Sequence, residues 1–156
     1  MKTFDITIQY FRFENDFVNN LRCIPMIVRY KLDASRIKLQ LADWAKLTIN
    51  EKAQLANLAC HTPKEIEAYG HYVNALVWKY TGQYPPILKQ ISDSWNETQK
   101  IPQEVTQKAN EYACPQLTTE QWQKLETLQR FALVKLGRSG HEGRNFPMAF
   151  SEFGLM

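Results

Sequence analysis

Residues 137–145 read GRSGHEGRN and gather the chain's densest set of groups able to bind or react. Gly137, Gly140 and Gly143 recur at every third place, interleaved with Arg138, His141, Glu142 and Arg144. Successive loop N–H groups beside two guanidinium groups can hold a phosphate or a carboxylate, with Glu142 orienting one arginine. The glycines also have a purely structural reading, with Gly137 as the left-handed residue that closes a helix and Gly140 and Gly143 as turn formers. The stretch follows a helical pattern rather than a strand, and no βαβ unit surrounds it, so it is not a dinucleotide or Walker-type phosphate loop. A K-homology clamp would need a sheet. His141 and Glu142 are neighbours in sequence, whose side chains are expected to diverge, and no nucleophile candidate accompanies them, so no catalytic residue is assigned.

The arginines extend this site beyond the loop. They stand at Arg12, Arg22, Arg29, Arg36, Arg130, Arg138 and Arg144, and the stretch between Arg36 and Arg130 carries lysine alone. Arginine's planar fork makes bidentate contacts that lysine cannot. The two ends of the chain are therefore expected to converge on one cationic recognition face, contributed by Arg22, Arg29 and Lys31 from the first end and by Arg130, Arg138, His141, Glu142 and Arg144 from the second. Pro25 interrupts the seven-residue spacing of Arg22 and Arg29. Arg29 and Asp33, at i and i+4, are safe helical neighbours, an ion pair worth ~0.3–0.5 kcal/mol at a surface.

Composition removes several alternatives. Nineteen basic against 16 acidic side chains give a net charge of +3, too little to imply nucleic acid without a localised patch. The aromatics do not interleave with basic residues in the manner that stacks single-stranded bases. Cys23, Cys60 and Cys114 are odd in number and widely spaced, which points to free thiols in a reducing compartment. Cys60-His61 lacks metal-ligand spacing, and neither a metal site nor a cofactor is expected. No apolar run reaches signal-peptide or membrane-span length, so a cytoplasmic protein is expected.

The elements that must position these residues are mainly helical, and a single helical domain over residues 11–156 is expected. Residues 4–10 alternate Phe4, Ile6, Ile8 and Tyr10 with polar residues, which predicts a strand or extended arm over 1–10. Phe13, Phe17 and Leu21 mark a short first helix, and Pro25 opens a second. Thr48 with Glu51 is a capping box opening a helix to about Cys60. "HTPKEIEAYGHYVNALVWKYTG" carries Thr62 as N-cap, Pro63 at the first position, Glu65 at the third and Gly82 past the end. "YPPILKQISDSWNETQKIP" reads as irregular, with Trp95 at a surface. Pro102 starts a helix to about Ala113. A long central helix is expected from a Thr118 cap to Gly137, its stripe of Leu125, Leu128, Ala132 and Leu136 widened by Phe131 and Val134. A short helix covers about Pro147 to Phe153.

"FRFENDFVNNLRCIPMIVRYKLDASRIKLQLADW" and "LQRFALVKLGRSGHEGRNFPMAFSEFG" resemble the nitrate reductase-associated protein family, of cyanobacterial type. "TPKEIEAYGHYVNALV", "IPQEV" and "TTEQWQKL" resemble it in the same order, while the first ten residues fall outside the likeness. The resemblance implies a non-enzymatic accessory or maturation protein. Its partner would be the catalytic polypeptide of assimilatory nitrate reductase, a cytosolic molybdenum and iron–sulphur enzyme. Neither nucleic acid nor membrane is implied. The alternatives are a carrier of the phosphate-bearing molybdopterin cofactor and a small permanent subunit of the reductase. The resemblance supplies no catalytic residues.

Overall fold

In a computed structural model of the chain, residues 10–14, 23–140 and 142–156 are described. Among the described residues every regular element is a helix, and the one β feature is an isolated antiparallel bridge between Ile37 and Ile87. The expected mainly α fold is therefore observed. The predicted strand over residues 4–10 lies outside the described residues except for Tyr10. So do Phe17 and Leu21 of the predicted first helix, whose Phe13 sits in a 3-10 turn, Arg12–Glu14. The chain groups into two compact units, one formed by residues up to Tyr10 and Glu14–Ile91, the other by Phe11–Phe13 and Ser92–Met156.

The first unit contains α1 (Met26–Ala34), α2 (Leu41–Ala45), α3 (Ile49–Asn57) and α4 (Pro63–Thr81). Pro25 precedes α1 and has no side chain able to cap it. The buried Glu14 carboxylate does so instead, accepting the Met26 N–H at 2.8 Å. An anion at this end complements the helix dipole. Both capping boxes read from the sequence form, Thr48 with Glu51 and Thr62 with Glu65. Gly82 closes α4 at φ 72°, in the left-handed region that a β-carbon disfavours. Val28, Leu32, Trp44, Leu55, Tyr69 and Val73 form the centre of this unit's core. Fully burying an aliphatic side chain of this size stabilises by about 1.5–3 kcal/mol.

The second unit contains α5 (Gln103–Glu111), α6 (Thr119–Lys124), α7 (Thr127–Arg138) and α8 (Phe146–Glu152). The single long helix expected from Thr118 to Gly137 is two helices. Leu125 leaves α6 with ψ 149° and Glu126 enters α7 with ψ 157°, both extended. Each helix has its own box, Thr118 with Gln121 and Glu126 with Gln129. The expectation that the second half is central is met, because Phe131, Ala132, Leu133 and Val134 are all fully buried. Four consecutive buried residues cover the whole girth of a helix, which requires neighbours on every side. Trp95, expected at a surface, is 4% exposed. Its ring packs edge-on against Phe131 at 4.8 Å between centroids, and this long-range aromatic contact overrides the irregular local sequence.

Candidate partner-binding site

Helix α7 carries two of the arginines expected at the site, and they face different environments. Arg130, in the first turn, is buried. Its Nε donates to the Trp95 carbonyl at 2.7 Å, and its other nitrogens donate to the carbonyls of Leu125 and Trp122 and to the Thr127 hydroxyl. Trp122 and Leu125 lie at the end of α6, where carbonyls lack intrahelical partners. The guanidinium therefore joins the end of α6 to the Trp95 turn. Burial draws its pKa below the ordinary arginine value.

Gly137 does not close the helix in a left-handed conformation. It lies inside α7, and a β-carbon there would sit 2.9 Å from the Glu104 carbonyl oxygen. The residue permits close approach of α5 to α7. Arg138, the last residue of α7, is exposed; its Nε donates to Glu104 Oε2 at 2.8 Å and its terminal nitrogen to the Ser92 and Ser94 hydroxyls at 3.0 and 3.5 Å. Beyond it, Ser139 Oγ accepts the Glu142 N–H at 2.8 Å, and Lys108 Nζ donates to the Ser139 carbonyl at 3.3 Å. Gly143 is buried against the Lys108 side chain, a β-carbon there falling 3.0 Å from Nζ. Lys108 also pairs with Glu111 at 3.4 Å.

The loop is thus organised from below by a lysine of α5, and Glu142 and Arg144 follow in a 3-10 turn, Glu142–Asn145. Arg144 is exposed and makes no ion pair or side-chain hydrogen bond among the described residues. His141 and Arg22 lie outside the described residues. Of the remaining expected residues, Arg138, Glu142 and Arg144 are gathered in the α7–α8 connection, and Arg130 is turned into the core.

Arg29 and Lys31 belong to α1 in the first unit. Arg29 is half-buried, with Nε donating to the Ile24 carbonyl at 2.9 Å. Lys31 is buried, and its ammonium donates to the Ala56 and Leu58 carbonyls at 2.7 and 2.6 Å. These lie at the end of α3, so Lys31 closes that helix with a cation suited to its dipole. Burial lowers its pKa, partly offset by the nearby Cys60. Burial in turn raises the Cys60 thiol's pKa. Cys23, Cys60 and Cys114 are free thiols.

The residues that sequence reasoning did not single out are Ser92, Ser94, Glu104 and Lys108. More than thirty residues separate each from its loop partner, so no local pattern marks them. Among the described residues no group of three or more His, Cys, Asp or Glu side chains is arranged to hold a metal ion. No helix of the described residues is long and apolar enough to cross a membrane.

Fold and loop together define a small all-α protein that presents basic side chains at the end of its most enclosed helix. The chain belongs to the conserved nitrate reductase-associated protein family, which matches residues 10–153. Comparison with curated proteins returned no match, and comparison with solved structures returned none.

Proposed function

We propose that this protein is a cytoplasmic accessory factor that binds the catalytic polypeptide of assimilatory nitrate reductase and is needed for its activity. Membership of a family described as nitrate reductase-associated supports the reading. The loop supplies a physical means. Arg138 and Arg144 are exposed cations on a connection fixed by Lys108 and Ser139, so little ordering is required when a partner carboxylate arrives. Buried Arg130 and Lys31 support the scaffold, and the contact is assigned to Arg138, Glu142 and Arg144 with the adjoining His141. Glu104, 2.8 Å from Arg138 Nε, competes with any incoming anion there, a partner carboxylate and the phosphate of a carried cofactor alike.

The test is a pull-down of apo and holo reductase polypeptide with Arg138→Glu/Arg144→Glu. Capture is expected to be abolished while the circular dichroism spectrum is unchanged. Undiminished capture by the double variant removes these arginines from the interface. Recovery of cofactor-loaded reductase at stoichiometric yield with the unaltered protein selects a permanent subunit over a factor that leaves after assembly.

A further inference from the structure

Helices α3 and α4 run as a hairpin, fixed by bonds in antiparallel order. Tyr69 donates to the Leu55 carbonyl at 2.8 Å, Tyr72 to Gln54, and Lys79 and Tyr80 to Glu51 at 3.1 and 2.7 Å. One side of the hairpin is open as a groove of about 910 Å³. Its α3 wall is Asn50, Ala53, Gln54 and Asn57, and its α4 wall is Glu65, Ala68, Tyr69 and Tyr72. Both sets follow the spacing i, i+3, i+4, i+7, one continuous face of each helix. Alanines at 53 and 68 keep the floor low, and the tyrosine rings make it apolar.

The polar groups of the groove are neutral carboxamides with bonding capacity left over. Gln54 accepts from Tyr72 through its oxygen, leaving its NH₂ to donate. Asn57 donates to the Ala53 carbonyl, leaving its oxygen to accept. Asn50 makes no side-chain hydrogen bond among the described residues. A row of groups offering both donors and acceptors matches a polypeptide backbone in extended form, whose N–H and C=O groups have no internal partners. The distance from Asn50 to Asn57 along α3 is about 10 Å at ~1.5 Å per residue, room for roughly three residues of extended chain at ~3.3 Å each.

Charge distinguishes one end of the groove from the other. Glu65 lies at the α3–α4 link, and its Oε1 accepts the N–H groups of His61 and Thr62 at 3.0 Å. Those backbone bonds hold its pKa below the usual carboxylate value. Among the described residues no cationic side chain lines the groove. An acidic or phosphorylated ligand is therefore disfavoured, and a basic residue is favoured at the Glu65 end.

We propose that the α3–α4 groove binds an extended peptide segment of a partner protein, two or three apolar residues flanked on one side by a lysine or arginine that reaches Glu65. This surface shares no residue with the α7–α8 loop, and its test does not involve the reductase. A random twelve-residue peptide library displayed on phage is selected against the whole protein. The enriched peptides are then titrated by fluorescence polarisation against the unaltered chain, Ala68→Trp and Gln54→Leu. Both substitutions fall at exposed positions. Enrichment of apolar-basic sequences is expected, with binding lost in Ala68→Trp and weakened about ten-fold in Gln54→Leu, the value of one hydrogen bond. Replacing the peptide's basic residue by acetyl-lysine should weaken binding by a similar factor. No enrichment, enrichment of acidic peptides, or equal binding to folded Ala68→Trp and Gln54→Leu overturns the proposal.

Discussion

Replacing Gly137 by alanine sets two effects of known sign against each other. Alanine inside a helix is favoured over glycine by ~1 kcal/mol, because glycine loses more backbone freedom on folding. The added β-carbon, however, would lie 2.9 Å from the Glu104 carbonyl oxygen, 3.2 Å from its carbon and 3.5 Å from the Val105 nitrogen. These are backbone atoms of α5, which cannot turn aside as a side chain would. Separating two packed helices by a few tenths of an ångström costs about 1–3 kcal/mol. It also pulls Glu104 from Arg138. The balance is a net loss of ~0.5–2 kcal/mol. Gly140 supplies the control, since nothing lies within 4 Å of a β-carbon there, and Gly140→Ala should stay within ~0.5 kcal/mol. Urea unfolding followed by tryptophan fluorescence measures both, through Trp95 and Trp122 of the same unit. A lower midpoint at unchanged slope is expected for Gly137→Ala. Gly137→Asn should be worse still, whereas a left-handed cap would tolerate asparagine better than alanine. A Gly137→Ala protein more stable than the parent, or Gly137→Asn more stable than Gly137→Ala, would refute the close-approach argument.

Two further substitutions probe the scaffold. Arg130→Met keeps the bulk but leaves the Trp95 and Leu125 carbonyls without their donor, and should cost ~2–4 kcal/mol; a loss below ~1 kcal/mol in the same urea titration would show that other donors replace it. Glu51→Gln tests a carboxylate held at about 2, where burial opposes ionisation but bonds from Thr48, Tyr80 and Lys79 and the Lys79 charge overcome it. Because the folded pKa lies below the unfolded one, this stabilisation is fully present above the unfolded value near 4.5 and is lost as pH falls through about 2. A drop of that size corresponds to ~3 kcal/mol, and since Lys79 is 61% exposed, screening reduces the expected loss to ~1–2 kcal/mol at pH 7. The difference between parent and Glu51→Gln should shrink toward pH 2, and a gap that widens on acidification contradicts the assignment.

Much of the fold was legible where local chemistry decides it. Thr48, Thr62 and Thr118 cap helices because a hydroxyl three residues before a Glu or Gln satisfies orphan N–H groups with no help from elsewhere. Gly82 behaves as its position past the end of α4 implies. The break between α6 and α7 was not read, although Glu126 and Gln129 carry a box signature, because the apolar stripe runs through it and periodicity is blind to a single extended turn. Trp95, Arg130 and Lys31 were misjudged or left open for a different reason. A tryptophan in a proline-bounded loop, or a cation on a helix, looks solvent-facing until a distant ring or orphan carbonyl is supplied by the fold. At the loop, Arg138, Glu142 and Arg144 were legible as a cluster. Their supports, Glu104, Lys108, Ser92 and Ser94, come from elements distant in sequence. Gly137 was noticed for the wrong property, since sequence shows that a β-carbon is absent but not which neighbour needs the space.

The Glu152 carboxylate accepts the N–H groups of Arg12 and Phe13 at 2.9 and 3.0 Å, and Phe11 packs on Phe153 at 5.0 Å. This clasp imposes an order on biosynthesis. At roughly 5–20 residues per second, the ribosome emits residues 11–13 on the order of ten seconds before residue 152. Residues 11–13 of the second unit must wait, unsatisfied, while Glu14–Ile91 of the first unit and then the rest of the second are made. Closing so long a segment carries an entropy penalty of about 4 kcal/mol, and translation completes it last. A nascent chain stalled a few residues short of Glu152 would therefore hold a finished first unit beside a second that lacks its clasp.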